Sequence, residues 1–118
     1  MNNNSSPAAG SLTALIVIPC EGFSYQEYLM VRRVLEEDNI RIGTTATTAT
    51  CESTEHQQLI PDQSMNKITV ADWDAIVLLD TTNGSVYRDS AEILALVRDA
   101  WTMDKVIAAA GSSPPDKT

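Results

Sequence analysis

Apolar residues collect in three nearly unbroken runs along this chain, and the stretches between them carry apolar positions three and four apart. Leu12 to Pro19 (LTALIVIP), Ala75 to Leu79 (AIVLL) and Lys105 to Ala110 (KVIAAA) are the runs. A strand covered on both faces, as inside a parallel sheet, reads as a continuous apolar segment rather than an alternating one. All three are therefore expected to be strands, with Val106 to Ala110 buried on both faces. Ile40 to Thr45 (IRIGTT) predicts one more strand.

A helix is expected from about Ser24 to Asp38. Ser24 followed three residues later by Glu27 has the form of a capping box. Tyr28, Val31 and Leu35, with Val34 beside them, form one apolar stripe. Arg32–Glu36 and Arg33–Glu37 are spaced as i,i+4 pairs on the wet face, and Asn39 is suited to the C-terminal cap. A second helix is expected after Asp89, with Asp89 as its cap, Glu92 as box partner, and Ile93, Val97, Ala100 and Trp101 as its buried stripe; Trp101 and Met103 are read as core. Between the second and third strands the chain is Thr-rich (ATTATCESTEH), which fits a wet edge ribbon or hairpin, and then makes a Pro61-Asp62 turn. Strands alternating with helices imply βαβ units. The fold class is thus α/β: a flavodoxin-like three-layer α/β/α sandwich with a mainly parallel sheet. Residues 12–111 are expected to form a single domain, between a disordered tail at 1–11 and a flexible Ser-Pro-Pro tail at 112–118.

Charge narrows the partners. The chain has 118 residues and a formal net charge of −8, with a pI of about 4.4. Such a surface repels polyanions at long range, so no nucleic-acid partner is expected. The apolar runs are too short to span a bilayer, and residues 1–11 lack the basic and apolar regions of a secretory signal. Two cysteines, Cys20 and Cys51, do not make a disulfide framework; the expectation is a cytoplasmic protein with free thiols, no membrane partner and no cofactor or metal.

Candidate chemistry lies where the strands end, the rim at which open α/β sheets bind ligands. Glu27 is a candidate acid there, although its capping box accounts for it without chemistry. Cys20 follows the first strand near a helix N-terminus, which favours a thiolate and a redox-sensing role; the competing reading is a small buried hydrophobe. Glu21 and Asp80 make an acid pair at the same rim, with Ser112 beyond the last strand. This set also suits a receiver-like domain in which Asp80 accepts phosphate beside Mg²⁺. The long, aperiodic segment from Thr45 to Trp73 argues against that alternative. His56, the single histidine, lies in the polar ribbon and is expected to be solvated.

Three segments together resemble the ThiJ/PfpI superfamily. ALIVIPCEGFSYQEYLMVRRVLEEDNIRI matches an opening strand, a Gly-Phe turn (Gly22, Phe23) and a helix carrying an acid, Glu27. LIPDQSMNKITVADWDAIVLLD is similar to the family's Pro-Asp turn and following strand, and DSAEILALVRDAWTMDKVIAAA to the helix and strand leading to its nucleophile elbow. The resemblance implies cysteine-dependent hydrolases, glyoxalase-like enzymes or stress-response chaperones among active relatives. It also implies that the nucleophile position here is Gly111, followed by Ser112, and that Asp80 and Thr81 replace the family's glycine pair. A non-catalytic protein acting by binding or assembly is the expected function, as a homodimer, because the apolar last strand lacks cover. The alternative is an enzyme or redox sensor using Glu27 and Cys20. No small-molecule ligand is specified by these residues.

Overall fold

The structure, a computed structural model, describes residues 12–83 and 85–110. Its elements in chain order are β1 (Thr13–Ile18), α1 (Tyr25–Glu37), β2 (Arg41–Ala46), β3 (Cys51–Glu52), β4 (Gln58–Leu59), β5 (Gln63–Ser64), β6 (Ala75–Leu79), α2 (Ser85–Arg88), α3 (Ala91–Thr102) and β7 (Val106–Ala110). Two 3-10 turns, Met65–Lys67 and Val70–Asp72, link β5 to β6.

Five strands form one sheet in the order β5-β2-β1-β6-β7, and every pairing in it is parallel. β1 lies at its centre and is buried on both faces, as its unbroken apolar run requires. Successive side chains of a strand point to opposite faces, so β1 supplies two cores. Ala14, Ile16 and Ile18 pack with Tyr28, Val31 and Leu35 of α1 on one face. Leu15 and Val17 pack with Ile93, Leu96 and Ala100 of α3 on the other. The three-layer α/β/α expectation is met. The Thr-rich ribbon is a hairpin of β3 and β4, paired antiparallel apart from the main sheet.

Local chemistry explains the borders. Ser24 caps α1, its Oγ accepting the Glu27 amide at 3.2 Å. Asn39 follows the Asp38 cap with φ of 60°, a left-handed conformation that Asn tolerates better than most residues. Asp74 joins the starts of β1 and β6, its Oδ2 accepting the Thr13 amide at 2.8 Å. Gly43 in β2 leaves room for the Trp73 ring; a Cβ there would lie 2.3 Å from Trp73 Cη2.

Several expectations need correction. The cap of α3 is Ser90, whose Oγ accepts the Ile93 amide at 3.1 Å; Asp89 instead closes the preceding turn, donating its amide to the Ser85 carbonyl. Its buried stripe is Ile93, Leu96 and Ala100, and Trp101, one residue past Ala100, is rotated by about 100° to solvent and is 76% exposed. Met103 is exposed as well, and so is Val34 on α1. β7 is not buried on both faces: it is the outer strand of the sheet among the described residues, and Val106 is 62% exposed. Of the two ion pairs expected on α1, Arg32–Glu36 forms at 3.3 Å.

Candidate functional site

The carboxyl ends of β1 and β6 carry two turns that lock together. Gly22 (φ +75°) is the contact point, since a Cβ on it would lie 2.5 Å from Thr82 Oγ1 and 2.8 Å from Thr81 Oγ1. The Thr82 amide donates to the Gly22 carbonyl at 2.9 Å, and the Thr81 hydroxyl donates to the Glu21 carbonyl. Behind this loop the Tyr87 hydroxyl donates to the Leu79 carbonyl. Burial first, and the nearby Asp80 charge second, push the Tyr87 phenol well above its ordinary pKa.

The β3–β4 hairpin supplies the third wall. The Thr54 amide donates to the Phe23 carbonyl at 2.9 Å. Glu55 then reaches the N-terminus of α1. Its Oε1 accepts the Tyr25 amide at 2.8 Å, and its Oε2 accepts the Ser24 hydroxyl at 3.0 Å and the Gln26 amide at 3.4 Å. The Tyr25 amide leads these donors in holding the Glu55 carboxyl down to about 2. A helix N-terminus favours an anion at this place.

Glu27, Asp80, Gly22, Ser24, Thr54, Thr81 and Thr82 line one cleft of roughly 130 Å³ between these turns. Sequence reasoning paired Asp80 with Glu21 and took Glu27 as a separate acid at the rim; the structure brings Asp80 together with Glu27, and Glu21 does not line the cleft. The capping box is only half formed: the Glu27 backbone amide takes part, but Glu55 provides the helix-capping carboxylate, and the Glu27 side chain accepts no hydrogen bond from the described residues. Glu55 was missed because nothing in an exposed polar ribbon marks an acid that caps a helix 30 residues earlier. Asp80 Oδ1 accepts the Thr81 amide at 2.9 Å. Glu21 is exposed and brings its backbone, not its carboxylate, to the neighbouring turn. Gly111 and Ser112 lie outside the described residues.

The free-thiol expectation is also corrected. Cys20 and Cys51 are paired as a disulfide, with Cα atoms 4.4 Å apart across 31 positions of sequence. The end of β1 and the start of the hairpin converge there, a juxtaposition that spacing alone does not reveal. Cys20 therefore sits beside the cleft without lining it. His56 turns to Glu52, at 2.9 Å between Nδ1 and Oε2, and not to Cys51.

Chemically, the cleft offers two carboxylates and several hydroxyls. It suits hydrogen-bond donors and disfavours anions. Its volume is below the roughly 300–1,000 Å³ of typical small-molecule sites, and the lining hydroxyls of Ser24 and Thr54 that hydrogen-bond a carboxylate share Glu55, which is held in the cap of α1. A larger and mainly apolar groove of roughly 410 Å³ lies elsewhere, between α1 and β7, lined by Met30, Val31, Val34, Leu35, Val77 and Ala108–Ala110.

A parallel five-stranded sheet with helices on both faces, and an acid on the first helix beneath the rim, defines a flavodoxin-like α/β protein. Within that class, the chain belongs to the DJ-1/PfpI family, whose model matches residues 13–115. No curated protein matches it. Among solved structures it is similar to Drosophila melanogaster DJ-1beta, with a TM-score of 0.73 and 22% identity over 84% of this chain and 54% of that one. A ThiJ/PfpI domain protein from Brachyspira murdochii is also similar, with a TM-score of 0.70 and 14% identity over 84% of this chain and 57% of that one. Oxidized Toxoplasma gondii DJ-1 gives 0.73 and 16%, over 83% and 54%. The chain spans about half the length of these three structures. The family match replaces the receiver-like alternative for Asp80. No helix among the described residues is long and apolar enough to cross a membrane.

Proposed function

We propose that this chain is a non-catalytic DJ-1/PfpI protein that acts by binding and assembly, forming a homodimer in the cytoplasm, with a stress-related role as the family resemblance implies. The observation that carries the reading is the state of β7. Its outer edge pairs with no strand among the described residues, and its neighbours Met30 and Val34 are large, apolar and exposed. An unprotected apolar strand edge is a template for pairing with another chain, and a two-fold dimer is the commonest closed arrangement.

Two features support the absence of catalysis. Gly111 stands where the family resemblance puts the nucleophile. Asp80 stands where a glycine pair would help shape an oxyanion site, and a carboxylate repels the charge such a site must stabilise. The enzyme alternative built on Glu27 and Cys20 is less favoured, since the Cys20 sulfur is engaged by Cys51 and Thr48 outside the acid-lined cleft. The test is turnover of methylglyoxal and of small peptide substrates by purified, reduced protein. No turnover is expected. Turnover abolished by Cys20→Ser would overturn the reading in favour of the rearranged site.

A further inference from the structure

We propose that Cys20 and Cys51 form a reversible dithiol–disulfide switch that fastens the β3–β4 hairpin over the N-terminus of α1. This goes beyond the assembly reading and does not depend on it.

Placement is the first argument. Cys20 follows β1 in the turn that leads through Gly22 and Phe23 to the cap of α1, and Cys51 opens the hairpin that returns to that cap. Their Cα separation of 4.4 Å lies within the range that disulfides span without moving the backbone. Besides the burial of Cys51 and Leu59 in one core with Phe23 and Tyr28, the hairpin's ties to this turn are hydrogen bonds: the Thr54 amide to the Phe23 carbonyl, and the Glu55 carboxylate to Ser24, Tyr25 and Gln26. A covalent link added to these ties sets how firmly the Glu55 cap and the Thr54 wall of the cleft are held.

Access and local environment are the second argument. Cys51 is buried at 1% exposure, while Cys20 is partly exposed, so a small oxidant meets Cys20 first and Cys51 resolves the product. The Thr48 hydroxyl lies 3.1 Å from Cys20 Sγ and 3.8 Å from Cys51 Sγ, placed to donate to a thiolate at either sulfur. Cys20 also has φ of 61°, a left-handed backbone that a non-glycine residue keeps only when its surroundings impose it.

The oxidant is a low-molecular-weight disulfide of the glutathione type. The Cys20 thiolate attacks one of its sulfurs, forming a mixed disulfide and expelling one thiolate. The Cys51 thiolate then attacks the Cys20 sulfur and expels the second. The two protein thiols lose two electrons and two protons, and the reagent disulfide becomes two thiols. Excess dithiol runs the exchange backwards.

The test uses the full chain equilibrated in reduced and in oxidised glutathione, with alkylation, intact mass and hydrogen exchange read on each. In the oxidised buffer the expected product by intact mass is a single chain not crosslinked to another, lighter by two hydrogens, with neither cysteine alkylated, and reduction restores two reactive thiols. Amides of the 51–59 hairpin and of residues 25–27 should exchange on the order of tenfold faster in the reduced state, while those of β1 and β6 stay unchanged. Two alkylatable thiols, or only glutathione adducts, in the oxidised buffer would overturn the proposal. So would hairpin exchange that is the same in both states. Cys51→Ala gives an independent reading. It should keep the fast exchange under both buffers and take up one glutathione at Cys20; redox-dependent exchange that survives in this variant would also refute the switch.

Discussion

The Glu55 carboxylate caps a helix that begins 30 residues before it, accepting the Tyr25 amide at 2.8 Å. This contact fixes the position of the hairpin relative to the first turn of α1, and it carries a pH signature. The folded-state carboxyl titrates at about 2, below its ordinary 4.5. A depressed carboxyl contributes stability that is complete above the unfolded value and is lost as pH falls toward the folded one. Glu55→Ala should therefore lower the melting temperature at neutral pH, and the gap from wild type should close between about pH 4.5 and 2. Because the group is exposed, added salt should shrink the gap as well. Thermal melts of both proteins across pH check this; a gap that persists at pH 2 would mean that the side chain matters for some other reason.

The two helix caps make a paired prediction. Ser24→Ala and Ser90→Ala should each cost about 1 kcal/mol, because each hydroxyl oxygen accepts the amide three residues on. Asp89→Ala should be nearly neutral, and so should Glu27→Gln, whose carboxylate is not part of the cap. Urea unfolding of the four variants decides between Ser90 and Asp89 as the start of α3.

Gly43→Ala should destabilise the protein by about 1–3 kcal/mol, the usual cost of overpacking a filled site. The new methyl would meet the Trp73 ring at 2.3 Å, so the indole must move. A red-shifted tryptophan emission accompanying the loss of stability would identify Trp73 as the residue displaced; a stable variant with unchanged emission would contradict the packing described.

These sites differ in how far they could be read from the chain itself. β1 and β6 were legible to within a residue because a continuous apolar run admits few other interpretations in an alternating α/β pattern. Ser24 was legible because a cap acts within three residues. Asp89 and Ser90 are adjacent and both are good capping residues, so the border of α3 was misplaced by one position; separately, Trp101 was counted with the apolar stripe although it lies one helical step of about 100° past Ala100, on the exposed side. β7 is as apolar as the buried strands, and composition does not tell an interior strand from the outer strand of a sheet. Glu27 and Asp80 were found by one topological rule, that ligands gather where parallel strands end. Glu55 and the Cys20–Cys51 pair depend on where the Thr-rich ribbon folds back, which no local pattern in ATTATCESTEH encodes.

Assembly depends on the outer face of β7, where Val106 and Ala108 are exposed beside Met30 and Val34. Light scattering after size exclusion, at micromolar protein and with reductant present to exclude intermolecular disulfides, measures its consequence directly. Wild type is expected at twice the chain mass, and Ala108→Glu, which places a charge in the groove between α1 and β7, at the monomer mass with its circular dichroism unchanged. A wild-type monomer whose mass does not change on concentration would contradict assembly through this face.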